Sequence, residues 1–165
     1  MITILQSIVC CLVFGFVVLW SLYKAPLDNI LSYPVEIVQR VKSLPQYKDK
    51  FHLSAKKNKK AKILLVFGIA GIFALMSYCS GASTFVTAFV HTMILFMCMN
   101  LFDFFVMDLL IFRHCSFVRI PGTEDMIKAY HGIAHHAHGL LKGTAIAIFV
   151  SLISGAMVKI TCIIK

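Results

Sequence analysis

Four stretches of the chain are almost purely apolar, at residues 2–23, 63–80, 85–112 and 140–164, and between them lie polar segments at about 24–62 and 113–139. Each apolar run holds about 18 residues or more, roughly what a helix needs to cross some 30 Å of hydrocarbon. The backbone of a lipid-embedded segment must satisfy its own hydrogen bonds, so runs of this length predict helices. The expected fold is an all-α integral membrane protein, with residues 1–165 forming a single domain of four transmembrane helices.

The first polar segment carries a shorter pattern. Ile37, Val38, Val41 and Leu44 recur at helical spacing, with Pro34 suited to a helix start and Pro45 to its stop, while Glu36, Gln39, Arg40 and Lys42 fall on the other faces. This predicts a short amphipathic helix, either lying at the inner membrane interface or packing its stripe on the bundle.

Composition fits the pattern: 59% of the 165 residues are hydrophobic, 14% are charged, and the mean hydropathy is +0.86. Residues 2–23 have no Lys or Arg ahead of the apolar stretch and no small-residue cleavage site behind it, so they read as a retained anchor and not a secretory signal. Five of the six cysteines lie in or at the ends of the apolar runs, with Cys115 outside them, and are expected to be reduced and buried.

The net charge is +9, and it is unevenly placed. Fourteen of the sixteen basic residues fall in 24–62 and 113–142, which the positive-inside tendency assigns to the cytosol. Both termini are then on the non-cytosolic side, and the plasma membrane is the expected location. The lysine run at 56, 57, 59, 60 and 62 abuts a span and lacks interleaved aromatics, which favours anionic headgroups over nucleic acid as its partner.

Polar residues within the third span change the picture from topology to chemistry. Asn100, Asp103 and Asp108 fit within a sector of about 140° on an α-helix, and Asp103 lies about 15 Å above the boundary marked by Arg113. Carboxyl groups in hydrocarbon are penalised by roughly 2.5–3.5 kcal/mol, so they are expected to face the bundle interior or a polar cavity. Asp103 is expected to meet the histidine-rich helix or a cavity beside it. Asp103 and Asp108 are the candidate catalytic groups, and Asn100, Asp103, Arg113 and Lys142 the candidate ligand-binding set. His91, on the opposite face, reads as a hydrogen-bonded packing residue.

Beyond Arg113, Pro121 and Gly122 break the chain, and Thr123, Glu124 and Asp125 suit the start of a helix. From there Glu124, Lys128, His131, His135, His138 and Lys142 form one polar stripe leading into the fourth span, with Gly139 a candidate break. His131, His135 and His138 are spaced to grip a transition metal such as zinc or iron. His131, His135 and His136 also spell the H-x-x-x-H-H box and in this local respect resemble membrane fatty-acyl desaturases and hydroxylases. Those enzymes carry several such boxes on larger chains; this chain has one box and seven histidines.

Small residues set the expected packing. Gly68 and Gly71 lie on the second span, and Gly143, Ala147, Ser151 and Gly155 repeat at intervals of four along the fourth, forming a groove for a close neighbour within this chain, a second copy or another protein. No Walker loop, Gly-x-Ser-x-Gly elbow or Cys-x-x-Cys pair occurs. Three functions follow: a binding or accessory module presenting its His/acidic cluster to lipid headgroups, a polar ligand or a partner; a metal-dependent lipid-modifying enzyme; or an oligomeric transporter or channel lined by Asn100 and Asp103.

Overall fold

The computed structural model describes residues 1–47 and 59–164, and every regular element among them is helical. In order these are α1 (Ile2–Lys24), a 3-10 segment (Pro26–Ser32), α2 (Val35–Ser43), a 3-10 turn (Pro45–Tyr47), α3 (Lys59–Cys79), α4 (Phe85–Phe102), a π-helix (Asp103–Phe112), a 3-10 turn (Ser116–Val118), α5 (Ile127–Tyr130) and α6 (Ile133–Ile164). The side chains of the lysine run all lie outside the described residues.

Among the described residues, three helical stretches are long and apolar enough to cross a membrane: Ile2–Lys24, Phe85–Phe112 and Ile127–Ile164. The remaining apolar helix, Ile63–Cys79, is shorter. At 1.5 Å per residue its seventeen residues reach about 25 Å, below the usual 30 Å of hydrocarbon.

The chain divides into two compact units. The first comprises Met1–Leu12, Asn58–Leu101 and Leu140–Lys165. Here the row of small residues on α6 finds its neighbour in α4. A Cβ on Gly143 would collide with the Asn100 carboxamide, and one on Gly155 would come within 3.0 Å of the Phe85 carbonyl oxygen. Ala147 and Ser151, between them in the row, are fully buried. The row of small residues is thus packed against α4 within the chain.

Polar groups in this unit pair with one another. Asn100 Nδ2 donates to the Leu140 carbonyl and to Thr144 Oγ1, both at 3.1 Å. Farther along, Thr92 Oγ1 of α4 bonds Ser154 Oγ of α6 at 2.8 Å and Ser77 Oγ of α3 at 3.1 Å. His91 Nδ1 meets Ser77 Oγ at 2.9 Å, the packing role expected of it. Apolar packing fills the spaces between these bonds, with Ala70, Phe73, Leu95 and Val150 at one centre and Ala74, Ala82, Ala88 and Val158 at another.

The second unit comprises Val13–Lys57 and Phe102–Gly139. Its core gathers Leu22, Ile30, Tyr33, Ile37, Val41, Phe112, Val118, Ile120 and Tyr130. The apolar stripe of α2 belongs to this core: Ile37 and Val41 are fully covered by protein, while Glu36, Gln39, Arg40 and Lys42 lie outside. Of the two placements open to the stripe, the packed one is realised. Pro34 caps α2 and the helix begins one residue later, at Val35.

Tyrosine hydroxyls fasten the irregular segments of this unit. Tyr33 donates to the Val118 carbonyl at 2.8 Å, Tyr47 to that of Pro121 at 3.0 Å, and Tyr130 Oη lies 2.7 Å from Thr123 Oγ1 and accepts the Ile120 N–H. Thr123 is thereby held in a turn and does not start a helix; the first helical residue is Ile127. Gly122 has φ +90°, and a Cβ there would press on Leu44, so two constraints select glycine. A second departure comes at His131 and Gly132, where α5 ends before α6 begins. The break falls here and not at Gly139, which α6 passes through.

Candidate functional site

The second unit holds a cavity of about 310 Å³ into which Asp103 and Asp108 both open. One wall is α1, through Phe14, Val18, Ser21 and Leu22; another is the 3-10 segment, through Asn29 and Ser32. Asp103, Met107, Asp108 and Phe112 supply the rest, all from the π-helix.

The π geometry is what unites those four residues. On an α-helix, at about 100° per residue, they would spread over about 180°, half the circumference. A π-helix closes its hydrogen bonds from i to i+5 and turns only about 82° per residue, which confines the same four to a sector of about 80°. Asp103 and Asp108, expected about 140° apart, are brought to about 50°. Gly15 of α1 supports the arrangement, because a Cβ there would meet the Phe102 ring at 3.0 Å and Met107 Sδ at 3.8 Å.

Behind Asp108 stands His136. Its Nδ1 lies 3.0 Å from Asp108 Oδ1, its ring packs edge-on against Phe112 at 5.8 Å, and it is only 2% exposed. Nδ1 therefore carries the hydrogen facing the carboxylate. His136 Nε2 is buried with no hydrogen-bond partner among the described residues. Asp103 is half-buried and within electrostatic reach of both Asp108 and His136, yet it forms no hydrogen bond among the described residues.

Other expected site residues are engaged elsewhere. His131 Nε2 donates to the Arg113 carbonyl at 2.9 Å, and His135 Nε2 to that of Ser32 at 2.9 Å, so each ties one segment of the unit to another. The break at His131 and Gly132 removes the continuous helix that a His131, His135 and His138 grip assumed. Among the described residues, no three His, Cys, Asp or Glu side chains are grouped to hold a metal ion. His138 and Lys142 are exposed, and Asn100 is spent on pairing α4 with α6. Arg113 does not line the cavity.

Sequence reasoning placed His136 only in the H-x-x-x-H-H box, not beside Asp108, and missed Ser21, Asn29 and Ser32. His136 had a usable signal: it lies off the polar stripe and shares a helical face with Ile133 and Leu140, where an imidazole requires a partner. The other three carry none, since Asn29 and Ser32 reach the cavity through a 3-10 segment, and Asn29 Nδ2 donates to Ser21 Oγ at 2.7 Å.

Electrostatics outside the spans are local. Burial, with Tyr130 nearby, raises the Tyr33 phenol above its ordinary value, which favours the neutral hydroxyl that donates to Val118. The Gly122 N–H, donating to both Glu124 carboxylate oxygens at 3.0 and 2.8 Å, lowers that carboxyl group. No protein-family model matches the chain, and neither a curated protein nor a solved structure shows significant similarity to it.

Proposed function

We propose that this chain is a small four-span membrane protein acting as a binding module, and that a polar ligand or lipid headgroup enters the cavity lined by Asp103 and Asp108. One observation carries the reading: two carboxylates from the interior of an apolar helix open into the same cavity, and one of them has no hydrogen-bond donor among the described residues. An unpaired carboxylate at that depth is costly, and a ligand donor offsets the cost. The volume is at the lower end of the usual 300–1,000 Å³ range for ligand sites, which suits a headgroup-sized molecule.

Ile63–Cys79 is the fourth span in this reading, its shortfall met by local thinning of the bilayer. The termini lie outside the plasma membrane, with residues 24–62 and 113–139 in the cytosol beside anionic headgroups. Reporter cysteines at the exposed positions Ser43 and Ser116, in a background without native cysteines, should resist an impermeant reagent in intact cells and react after lysis.

The binding reading is tested with Val18→Phe, which narrows the cavity. Native mass spectrometry of the full chain in mild detergent should find a bound polar lipid or solute that this variant loses. Identical adducts on both chains would rule the cavity out as the binding site.

A further inference from the structure

We propose that the ligand is a monovalent organic cation, an ammonium group borne by a lipid headgroup or by a free amine; this rests on the binding reading above. Charge is the starting point. Among the described residues the lining supplies two carboxylates and no lysine or arginine, and the His136 imidazole is committed through Nδ1 to Asp108. Asp103, although within electrostatic reach of that imidazole, accepts no hydrogen bond among the described residues.

The rest of the lining selects among cations. A hard divalent ion takes six or more oxygen ligands, or keeps much of its water. This cavity instead presents Phe14, Phe112, Met107 and the aliphatic side chains of α1 around the acidic groups, and no metal-holding group occurs among the described residues. Aromatic faces attract ammonium groups, alkyl substituents on nitrogen are accommodated by the apolar wall, and Asp103 supplies the charge. Ser21, Asn29 and Ser32 offer polar contacts to a neighbouring hydroxyl or ester oxygen. An anion would meet the carboxylates, and a purely apolar molecule would leave Asp103 unpaired.

The test measures thermal unfolding of the full chain in a non-ionic detergent, with choline chloride, ethanolamine hydrochloride, sodium chloride, or the neutral choline isostere 3,3-dimethylbutanol. At least one ammonium compound should raise the melting temperature saturably, with no comparable effect of isostere or salt. Asp103→Asn should weaken this by about tenfold or more while keeping the wild-type circular dichroism, and Asp103→Glu should retain part of the affinity. Nanodiscs separate the sources. If phosphatidylcholine or phosphatidylethanolamine discs already saturate the effect and phosphatidylglycerol discs do not, the ammonium is a lipid headgroup; if added amine acts equally in all, it is a free solute.

Equal stabilisation by the isostere, an unaltered response in Asp103→Asn, or no saturable response to any ammonium overturns the proposal. A neutral polar solute that binds and is excluded by Val18→Phe would leave the binding reading standing without the cation. Absence of both that binding and the mass-spectrometric adduct would remove the two together.

Discussion

Asn100 and Asp103 are three residues apart in the same apolar run and meet opposite fates. In the first unit the Asn100 amide is spent: it donates twice to α6, and Gly143 is small because the carboxamide occupies the space a side chain would need. In the second unit Asp103 opens into a cavity without accepting a hydrogen bond among the described residues, and His136 Nε2 has no partner among them. A polar group within an apolar helix is not by itself a mark of function; what matters is whether its hydrogen-bonding capacity is consumed by the fold. By that measure the first unit is held together by its polar groups, with His91 Nε2 as an exception, and the second keeps some in reserve.

The strongest way to break this contrast is at Gly143. Gly143→Leu drives a branched side chain into the Asn100 amide, and should destabilise the detergent-solubilised chain by about 1–3 kcal/mol or more. Unchanged thermal unfolding would mean that α4 and α6 are not joined there.

A matched pair sharpens it. Asn100→Ala removes two hydrogen bonds and should lower stability by roughly 0.6–1.7 kcal/mol, the range seen for bonds between membrane helices. Asp103→Asn removes a charge that accepts no hydrogen bond among the described residues, and should leave stability unchanged or raise it while ligand binding falls. If both variants lose stability equally, Asp103 is a structural group and the contrast fails.

The smallest effect tests whether the second unit's irregular segments are fastened as firmly as the first unit's helices. Tyr33→Phe deletes the bond to the Val118 carbonyl and should cost about 1 kcal/mol near neutral pH. Because the folded-state value of Tyr33 is raised, its contribution is complete below the unfolded value near 10 and declines as pH rises through the folded one. Tyr33→Phe should therefore flatten the alkaline limb of the stability curve, and an identical slope in both chains would deny the burial that raises it.

Much of the fold was legible because apolar length and periodicity report directly on burial. Ile37 and Val41 marked the buried face of α2, and the small residues of α6 marked a close contact. The site was legible only in part. Asp103 and Asp108 stood out through the cost of placing carboxyl groups in hydrocarbon, but their convergence did not, since a wheel drawn at 100° per residue assumes the hydrogen-bond pattern that the π-helix abandons. His131 and His135 suggested a metal grip because the stripe was drawn on one continuous helix; both imidazoles instead hold backbone carbonyls across the chain. Asn29 and Ser32 come from a 3-10 segment between elements, which no periodicity announces.

The π-helix carries an implication for how such a pocket is inherited. Its two aspartates are partners only at a separation of five and in that one winding. A chain with a single residue deleted between them, four apart on an ordinary α-helix, would place its carboxylates about 40° from each other, nearly the same angle. Insertion and winding thus compensate: a one-residue difference in length can leave the carboxylate pair intact while shifting every residue that follows. Among diverging descendants, equivalent acidic pairs should be sought at both spacings, each matched to its own helical register.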